Sequence, residues 1–473
     1  MHCHIFRTLF ILGPFLLFSG CESAAPPARV TPVKPRAAAV ATKPAKPLPP
    51  PPLAPPTLPP AVTPTAPFHT HKLAELDAAV TQAIADGRLP GGVLWLEHRG
   101  AVYQKSYGRR AVIPAPEPMS DDTIFDAASL TKVLATTPAI MLLIERGKLQ
   151  IDAAVTNYLP EFAGDGRERV TLRHLLTHTS GLRSGLGLAN AWTGSAHAIA
   201  LACGEKLRQA PGAAFLYSDI NFILLGEIVQ RVSGQRLDQF VTRELYQPLR
   251  MSDTGYLPEA GKLSRIAPTE NHKTEGLLRG RVHDPTARRM GGVAGHAGVF
   301  TTAADLARYA RMMLQGGELD GVRVFPPEAV RWMTSVQSPA GVAARRGIGW
   351  DIDSPFSGPR GKHFPIGSFG HTGWTGTSVW IDPASRTFLI FLANRNHPNE
   401  AAGVGELRAR LATLAAEAIA DFNFGFLPDG RPASSPSADT ALSLNTGTNS
   451  LAVPVEKTHP LLTGRRAAWL PFP

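Results

Sequence analysis

The most informative segment of the sequence is Ser129-Leu-Thr-Lys132, which opens the apolar run Val133-Leu-Ala-Thr-Thr-Pro-Ala-Ile-Met-Leu-Leu-Ile144. Residues three apart on a helix share one face, so the Ser129 hydroxyl and the Lys132 amine are expected to touch. A serine becomes a useful nucleophile when a neighbouring base takes its proton, and a lysine can be that base if burial lowers its pKa. The sequence therefore predicts a Ser–Lys pair at the start of a helix whose apolar surroundings lower the pKa of Lys132.

Two later motifs strengthen this interpretation, because a Ser-x-x-Lys motif alone also arises by chance. Tyr217-Ser-Asp219 lies between a loop and a helical pattern, and a tyrosine hydroxyl near a lysine can shuttle protons. His371-Thr-Gly373 precedes a strand pattern whose backbone N–H groups can bind an acyl oxygen. Each motif alone is typical of an ordinary turn, but the three in this order indicate an acyl-transfer site.

The hydrophobic periodicity places strands at both ends of the body and helices between them. This predicts an α/β (α+β) fold, in which an antiparallel sheet is flanked by N- and C-terminal helices and carries an inserted all-α subdomain. The predicted elements are a helix over 72–86, a hairpin of 91–98 and 101–107, mostly helical patterns from 129 to about 350, strands over 377–382 and 387–393, and a final helix over 405–421.

The N-terminal region has the features of an export signal. Residues 1–20 combine a positive start with a short apolar run, which is typical of a signal peptide. The run ends in Leu17-Phe-Ser-Gly-Cys21, which resembles the bacterial lipoprotein box and makes Cys21 the expected lipidation site. An ordinary secretory signal is the alternative. Both interpretations place the protein outside the cytoplasm, in the cell envelope or periplasm.

Composition divides the remaining chain into three parts. Residues 22–67 form a Pro-rich linker, 68–427 a single body, and 428–473 a low-complexity tail. The net charge is +10, and half of it comes from five basic residues of the linker. The body is therefore only mildly basic, which argues against a nucleic-acid partner. Cys203 would be the only thiol left after processing, and its apolar setting favours a structural role.

Together these motifs closely resemble the penicillin-recognising serine hydrolases of the class C β-lactamase type. Their marks are Ser-x-x-Lys, a Tyr-x-Asn-like triplet and a Lys/His-Thr-Gly triplet, in this order. Leu175-Leu-Thr-His-Thr-Ser-Gly-Leu182 and Thr301-Thr-Ala-Ala-Asp-Leu-Ala307 also match secondary signatures. The resemblance covers residues 70–425 and implies a β-lactamase/transpeptidase-like fold. Further segments, such as Gly292-Val-Ala-Gly-His-Ala-Gly-Val-Phe300, look most like the branch of cell-wall carboxypeptidases and muropeptide amidases.

The resemblance also implies roles for individual residues. Ser129 would be the acylated nucleophile, and Lys132 and Tyr217 would share the proton relay, with the acylation base left open between them. The backbone N–H groups of Ser129 and Trp374 would form the oxyanion hole. His296 is expected either to face the cleft or to be a structural loop histidine. The expected substrate-binding residues are Asp219, His371, Thr372, Gly373, Trp374 and His296.

Two departures from the β-lactamase pattern bear on the substrate. Asp219 stands where those enzymes carry Asn, and His371 stands where they carry Lys. The charge of His371 is expected to vanish across neutral pH, since an ordinary histidine titrates near pH 6.5. Both changes weaken the case for an efficient antibiotic-destroying enzyme.

The sequence thus predicts an envelope serine acyl-hydrolase that acts on peptidoglycan peptides, as a D-Ala-D-Ala carboxypeptidase or a muropeptide amidase. The alternatives are a β-lactamase, a small-ester hydrolase and a non-catalytic penicillin-binding sensor. The predicted chemistry needs no cofactor and no metal. The expected partners are an acyl substrate, β-lactams as covalent ligands, and a membrane reached through the lipid on Cys21.

Overall fold

The computed structural model describes residues 67–400 and 403–425. The predictions for the signal peptide, for Cys21, for the linker up to residue 66 and for the tail 428–473 lie outside the described residues.

The central feature of the described chain is an eight-stranded antiparallel sheet in the order β11-β12-β13-β14-β15-β1-β2-β3. Strands from the two ends of the body meet at its centre, where β1 pairs with β15. The strands are β1 Gly91–His98, β2 Ala101–Ala111, β3 Glu117–Pro118, β4 Phe125–Asp126, β5 Gly255–Tyr256, β6 Asn271–His272, β7 Gly276–Leu277, β8 Val299–Thr301, β9 Glu318–Leu319, β10 Val322–Arg323, β11 Arg345–Arg346, β12 Asp351–Asp353, β13 Phe369–Thr372, β14 Ser378–Asp382 and β15 Thr387–Ala393.

The α-helices fall into a terminal pair and an inserted group. The terminal pair is α1 Thr70–Ala85 and α10 Gly405–Ala418. The inserted helices are α2 Thr137–Glu145, α3 Leu172–Leu176, α4 Ser195–Cys203, α5 Asp219–Ser233, α6 Leu237–Val241, α7 Pro285–Arg289, α8 Ala303–Leu314 and α9 Pro327–Thr334. The predicted combination of an antiparallel sheet, flanking terminal helices and inserted helices is confirmed, and the predicted all-α insertion also carries the short strands β5 to β10, which form small separate sheets.

The central strands are continuously apolar because both faces of the sheet are covered. Successive side chains of a strand point to opposite faces, so β1 serves two cores. Val93 and Trp95 belong to the larger core, which extends into the inserted helices. Leu94 and Leu96 belong to a second core under α1 and α10. The sheet thereby joins the two halves, and its β13–β14 turn contacts the backbone just before Ser129.

One helical stretch of the described chain, Ala128–Glu145, is long and apolar enough to cross a membrane by length and composition. Within the structure 83% of this stretch is buried. Its hydrophobicity therefore matches that of a core helix, and it carries the Ser129–Lys132 motif into the interior.

Candidate active site

The Ser129 motif begins with an irregular backbone rather than the regular helix that the sequence predicts. Residues Ala128–Leu130 form a 3₁₀ turn, and Lys132–Thr136 form a π-helical turn before α2. Ala128 adopts a φ of 48°, a left-handed conformation that costs energy for any residue with a side chain. The tight turn places Ser129 and Lys132 on the same side, so the Lys132 Nζ lies 3.0 Å from the Ser129 Oγ.

Lys132 is fully buried, and groups from two other segments surround its ammonium group. Its Nζ lies 2.7 Å from the Asp219 Oδ1 and 3.3 Å from the carbonyl oxygen of His296. The ring centroid of Tyr217 lies 4.9 Å away. Residues far apart in sequence therefore converge on one buried cation, and the Ser129 hydroxyl is one of its contacts.

The structure corrects the prediction that apolar surroundings lower the pKa of Lys132. Burial does lower this pKa, but the charge of Asp219 and then the contact with Tyr217 outweigh burial and raise the pKa above its ordinary value. Lys132 is therefore an ammonium ion at neutral pH, and it donates a hydrogen bond to Ser129.

The Tyr217 triplet is held at the N-terminus of α5 by the segment that follows α3. The N–H of Ser218 donates to the His178 Nδ1 at 3.1 Å, and the Ser218 hydroxyl donates to the carbonyl oxygen of Arg183 at 2.6 Å. The ring of His178 stacks on the ring of Tyr217, with the centroids 4.4 Å apart. Sequence reasoning missed this role of His178, although His178 lies within the Leu175–Leu182 signature.

His371 does not titrate as the sequence predicts. The side chain is only 4% exposed, and its Nδ1 donates to the carbonyl oxygen of Thr372 at 2.8 Å. Burial, followed by the positive charges of Arg346 and Lys132, holds the pKa of His371 well below its ordinary value. The imidazole is therefore neutral throughout the physiological range, and the triplet offers a hydrogen-bonding group instead of a charge.

The turn after β13 packs directly against the backbone that leads into Ser129. The hydroxyls of Thr375 and Thr377 donate to the carbonyl oxygens of Asp126 and Ala127, at 2.8 and 3.0 Å. A side chain at Gly373 would clash with Ala127 and Thr377, so this position requires glycine.

Trp374 follows this glycine, and the centroid of its ring lies 4.6 Å from the Arg395 guanidinium. Its backbone N–H makes no hydrogen bond to another residue of the described chain. Its side chain is 59% exposed. The turn therefore carries a free backbone donor near the Ser129 segment, as the resemblance implies for an oxyanion hole.

His296 lies behind Lys132 and pairs with an acid of the preceding segment. Its side chain is 1% exposed, and its Nε2 lies 2.9 Å from the Asp284 Oδ1. Although burial raises the pKa of Asp284, the charge of His296 and the hydrogen bond to it lower this pKa to about 2. Ligand atoms of Asp219, Asp284 and His296 lie within 4.8 Å of one another, a spacing that a metal ion could use. The ammonium group of Lys132 already supplies a positive charge to this group of residues, since it lies 2.7 Å from the Asp219 Oδ1.

Asp219→Asn should destabilise the protein at pH 7 by about 1–3 kcal/mol, because it leaves a buried ammonium group without its anion. The same change should lower the pKa of Lys132, because the lowering effect of burial is then no longer opposed by the charge of Asp219. Asp219 raises the pKa of Lys132 above its unfolded-state value of about 10.4. The ion pair therefore stabilises the folded protein fully below that pH, and the stabilisation is lost only as the pH rises through the pKa of Lys132 in the folded protein.

Urea unfolding at pH 7 measures the stability loss, and NMR titration of ¹³Cε-labelled lysine follows Lys132. The matched control is Asp165→Asn, since the Asp165 side chain is 63% exposed and the change should cost less than about 0.5 kcal/mol. An Asp219→Asn protein as stable as the wild type, with an unchanged Lys132 titration, would contradict the ion-pair assignment.

Comparisons with known proteins agree with this geometry. Residues 76–414 match the family model described as Beta-lactamase. The chain is 30% identical over 368 residues to the "Putative D-alanyl-D-alanine carboxypeptidase" of Escherichia coli (strain K12), covering 70% of this chain and 84% of that protein. It is 32% identical over 370 residues to the N-acetylmuramyl-L-alanine amidase of Bacillus subtilis (strain 168), covering 70% of this chain and 83% of that protein.

Solved structures show the same fold. A class C beta-lactamase superposes with a TM-score of 0.61 at 21% identity, covering 75% of this chain and 98% of that one. A penicillin-binding protein homologue from Caulobacter crescentus superposes with a TM-score of 0.60 at 23% identity, covering 73% of this chain and 97% of that one. The family model covers well over half of the sequence, and the fold agrees with it. The chain therefore belongs to the beta-lactamase family of serine hydrolases.

Proposed function

We propose that this protein cleaves amide bonds of peptidoglycan peptides in the cell envelope through an acyl-enzyme on Ser129. The observation that carries the proposal is the 3.0 Å contact between the Ser129 hydroxyl and the buried ammonium group of Lys132. The carboxypeptidase and amidase named above support the choice of substrate. The reaction uses side-chain and backbone groups and needs no cofactor.

In this mechanism Lys132 acts as a cation that stabilises negative charge on the Ser129 oxygen as it attacks the substrate carbonyl. Because Lys132 already carries its proton, the serine proton has to pass to another group. We assign that step to Tyr217, whose ring lies beside the same ammonium group. Its hydroxyl takes the serine proton as its own proton passes to the nitrogen of the departing amine, and water later releases the acyl group from Ser129. The N–H groups of Ser129 and Trp374 stabilise the oxyanion of the tetrahedral intermediate.

The remaining predicted residues bind the substrate or orient the catalytic groups. Asp219 neutralises Lys132, and Gly373 allows the β13–β14 turn to approach the Ser129 segment. His371 and Thr372 position the substrate from the end of strand β13, while His296 supports Lys132 through its backbone oxygen. None of these groups has to titrate near neutral pH for the mechanism to operate.

The neutral state of His371 favours the amidase over the carboxypeptidase and the β-lactamase. D-Ala-D-Ala peptides and β-lactams carry a carboxylate next to the scissile bond, and a cation in the third triplet would attract it. His371 supplies no such charge. In muropeptides an amide joins the lactyl group of muramic acid to L-alanine, and the carboxyl group of that L-alanine is bonded to the next residue of the peptide. No free carboxylate therefore lies next to this scissile bond.

We expect the protein to release the peptide from N-acetylmuramoyl-peptides faster than it releases D-alanine from pentapeptides that end in D-Ala-D-Ala. Ser129→Ala should lower the rate by at least about 10³-fold while leaving the fold intact. Amino-acid analysis and mass spectrometry of the products, wild type beside Ser129→Ala, measure both effects.

The products separate the candidate functions. Predominant release of D-alanine would contradict the argument from His371 and support a carboxypeptidase. Cleavage of simple esters without cleavage of either muropeptide would refute the peptidoglycan substrate and leave a serine esterase. A Ser129→Ala protein with wild-type rates would refute the acyl-enzyme itself.

We further propose that the chain is exported and anchored to a membrane through a lipid on Cys21. The support is the sequence of residues 1–21, in which a short apolar run precedes Leu17-Phe-Ser-Gly-Cys21. Metabolic labelling with an alkyne fatty acid in a bacterial host should mark the wild-type protein and not the Cys21→Ser variant. Equal labelling of both proteins, or none of either, would contradict the anchor, and the second result would favour an ordinary secretory signal.

A further inference from the structure

The orientation of one peptide unit decides whether the turn after β13 can serve as an oxyanion hole. The carbonyl oxygen of Gly373 and the N–H of Trp374 belong to the same planar peptide, so in the trans form they point in opposite directions. Whatever fixes the Gly373 oxygen therefore also fixes the Trp374 N–H. Within the turn, the Gly373 oxygen accepts only a long hydrogen bond, 3.2 Å from the N–H of Gly376.

A second and shorter contact to this oxygen comes from the C-terminal helix α10. The Arg408 Nη2 donates to the carbonyl oxygen of Gly373 at 2.6 Å and to that of Thr377 at 2.8 Å. These two carbonyls flank the turn, and the N–H of Gly373 also donates to the Thr377 oxygen at 2.7 Å. A single guanidinium nitrogen therefore braces both ends of the turn.

The surroundings of Arg408 indicate that its charge acts on the turn. Within the described chain Arg408 forms no ion pair with a carboxylate, and its Nε is buried without a hydrogen-bond partner. Its hydrogen bonds go to neutral carbonyls, so the charge is not cancelled locally. A cation that binds a peptide carbonyl polarises that peptide and makes its N–H a stronger donor.

The next peptide of the turn is fixed in the same manner. The Arg395 Nε donates to the carbonyl oxygen of Trp374 at 2.6 Å, and the Arg395 N–H donates to that of Thr375 at 2.9 Å. The carbonyls of Gly373 and Trp374, which precede and follow the Trp374 N–H in the chain, are thereby both held by arginine side chains. This leaves the N–H itself available to a ligand.

We propose that Arg408 is a positioning residue for catalysis, which orients and polarises the Gly373–Trp374 peptide so that the Trp374 N–H binds the substrate oxyanion. The inference rests on the proposed function, because it requires an acyl substrate on Ser129. It adds a residue from the last helix of the body, which none of the three catalytic motifs contains. The role differs from a simple anchor for α10, because an anchor would affect stability without affecting the transition state selectively.

The test uses the full-length protein with p-nitrophenyl acetate as the acyl donor and phenylboronic acid as the tetrahedral mimic. Removal of one oxyanion-hole donor costs about 10²–10³-fold in kcat, and misorientation of a donor should cost part of that. Arg408→Met should therefore lower kcat about 10- to 100-fold with little change in KM, and it should weaken the binding of phenylboronic acid by a similar factor. Arg408→Lys keeps the charge and should recover part of both losses.

Arg167→Met is the matched control for the loss of an arginine that holds backbone carbonyls. Arg167 is 7% exposed, and it donates to the carbonyl oxygens of Phe162 at 3.0 Å and Ala163 at 2.7 Å. The control should lose thermal stability, yet its kcat and boronate affinity should stay within about 2-fold of the wild type. Thermal unfolding of each variant corrects the rates for the folded fraction.

The outcomes distinguish this role from the proposed function. Wild-type kcat and boronate affinity in folded Arg408→Met would overturn the positioning role and leave the hydrolase untouched. Losses matched by Arg167→Met would also overturn it, since they would reflect general destabilisation. If the wild-type protein neither hydrolysed the ester nor bound the boronate more tightly than Ser129→Ala, the proposed hydrolase would fail, and the role of Arg408 with it.

Discussion

The site depends on placing one ammonium group in the protein interior without leaving it unpaired. Lys132 is fully buried, and an isolated charge in that position would be prohibitively costly. Asp219 offsets this cost with a contact of 2.7 Å, and the carbonyl of His296 adds a second acceptor. This requirement ties together the Ser129 turn, the N-terminus of α5 and the loop before β8, which surround the cation.

A second requirement is that the turn between β13 and β14 be fixed against the Ser129 segment. Thr375 and Thr377 bond the backbone just before Ser129, and Arg408 links the same turn to α10. Because α10 packs with α1 on the outer face of the sheet, both terminal helices contribute indirectly to the geometry of the cleft. The division into a sheet half and a helical half thus serves to bring a backbone donor and a nucleophile together.

Much of this architecture was predictable from the sequence. Apolar periodicity predicted α1, the β1–β2 hairpin, β14, β15 and α10 within a few residues, because these elements bury regular faces. The contact between Ser129 and Lys132 followed from their spacing alone. The ionisation states did not follow, since they depend on distant neighbours. Lys132 is charged because of Asp219, and His371 is neutral because it is buried near Arg346. The bonds of Arg408 join segments 31 and 35 residues apart, beyond any local pattern.

Trapping the covalent intermediate on Ser129 would test the acyl-enzyme mechanism. The wild-type protein and Ser129→Ala would be incubated with a fluorescent penicillin or an activated ester, quenched in acid within milliseconds to seconds, digested and mapped by mass spectrometry. We predict a single acyl adduct on the wild-type peptide that contains Ser129, and no adduct on Ser129→Ala. Turnover without any adduct at the earliest times, an adduct on another residue, or acylation of Ser129→Ala would rule out Ser129 as the nucleophile.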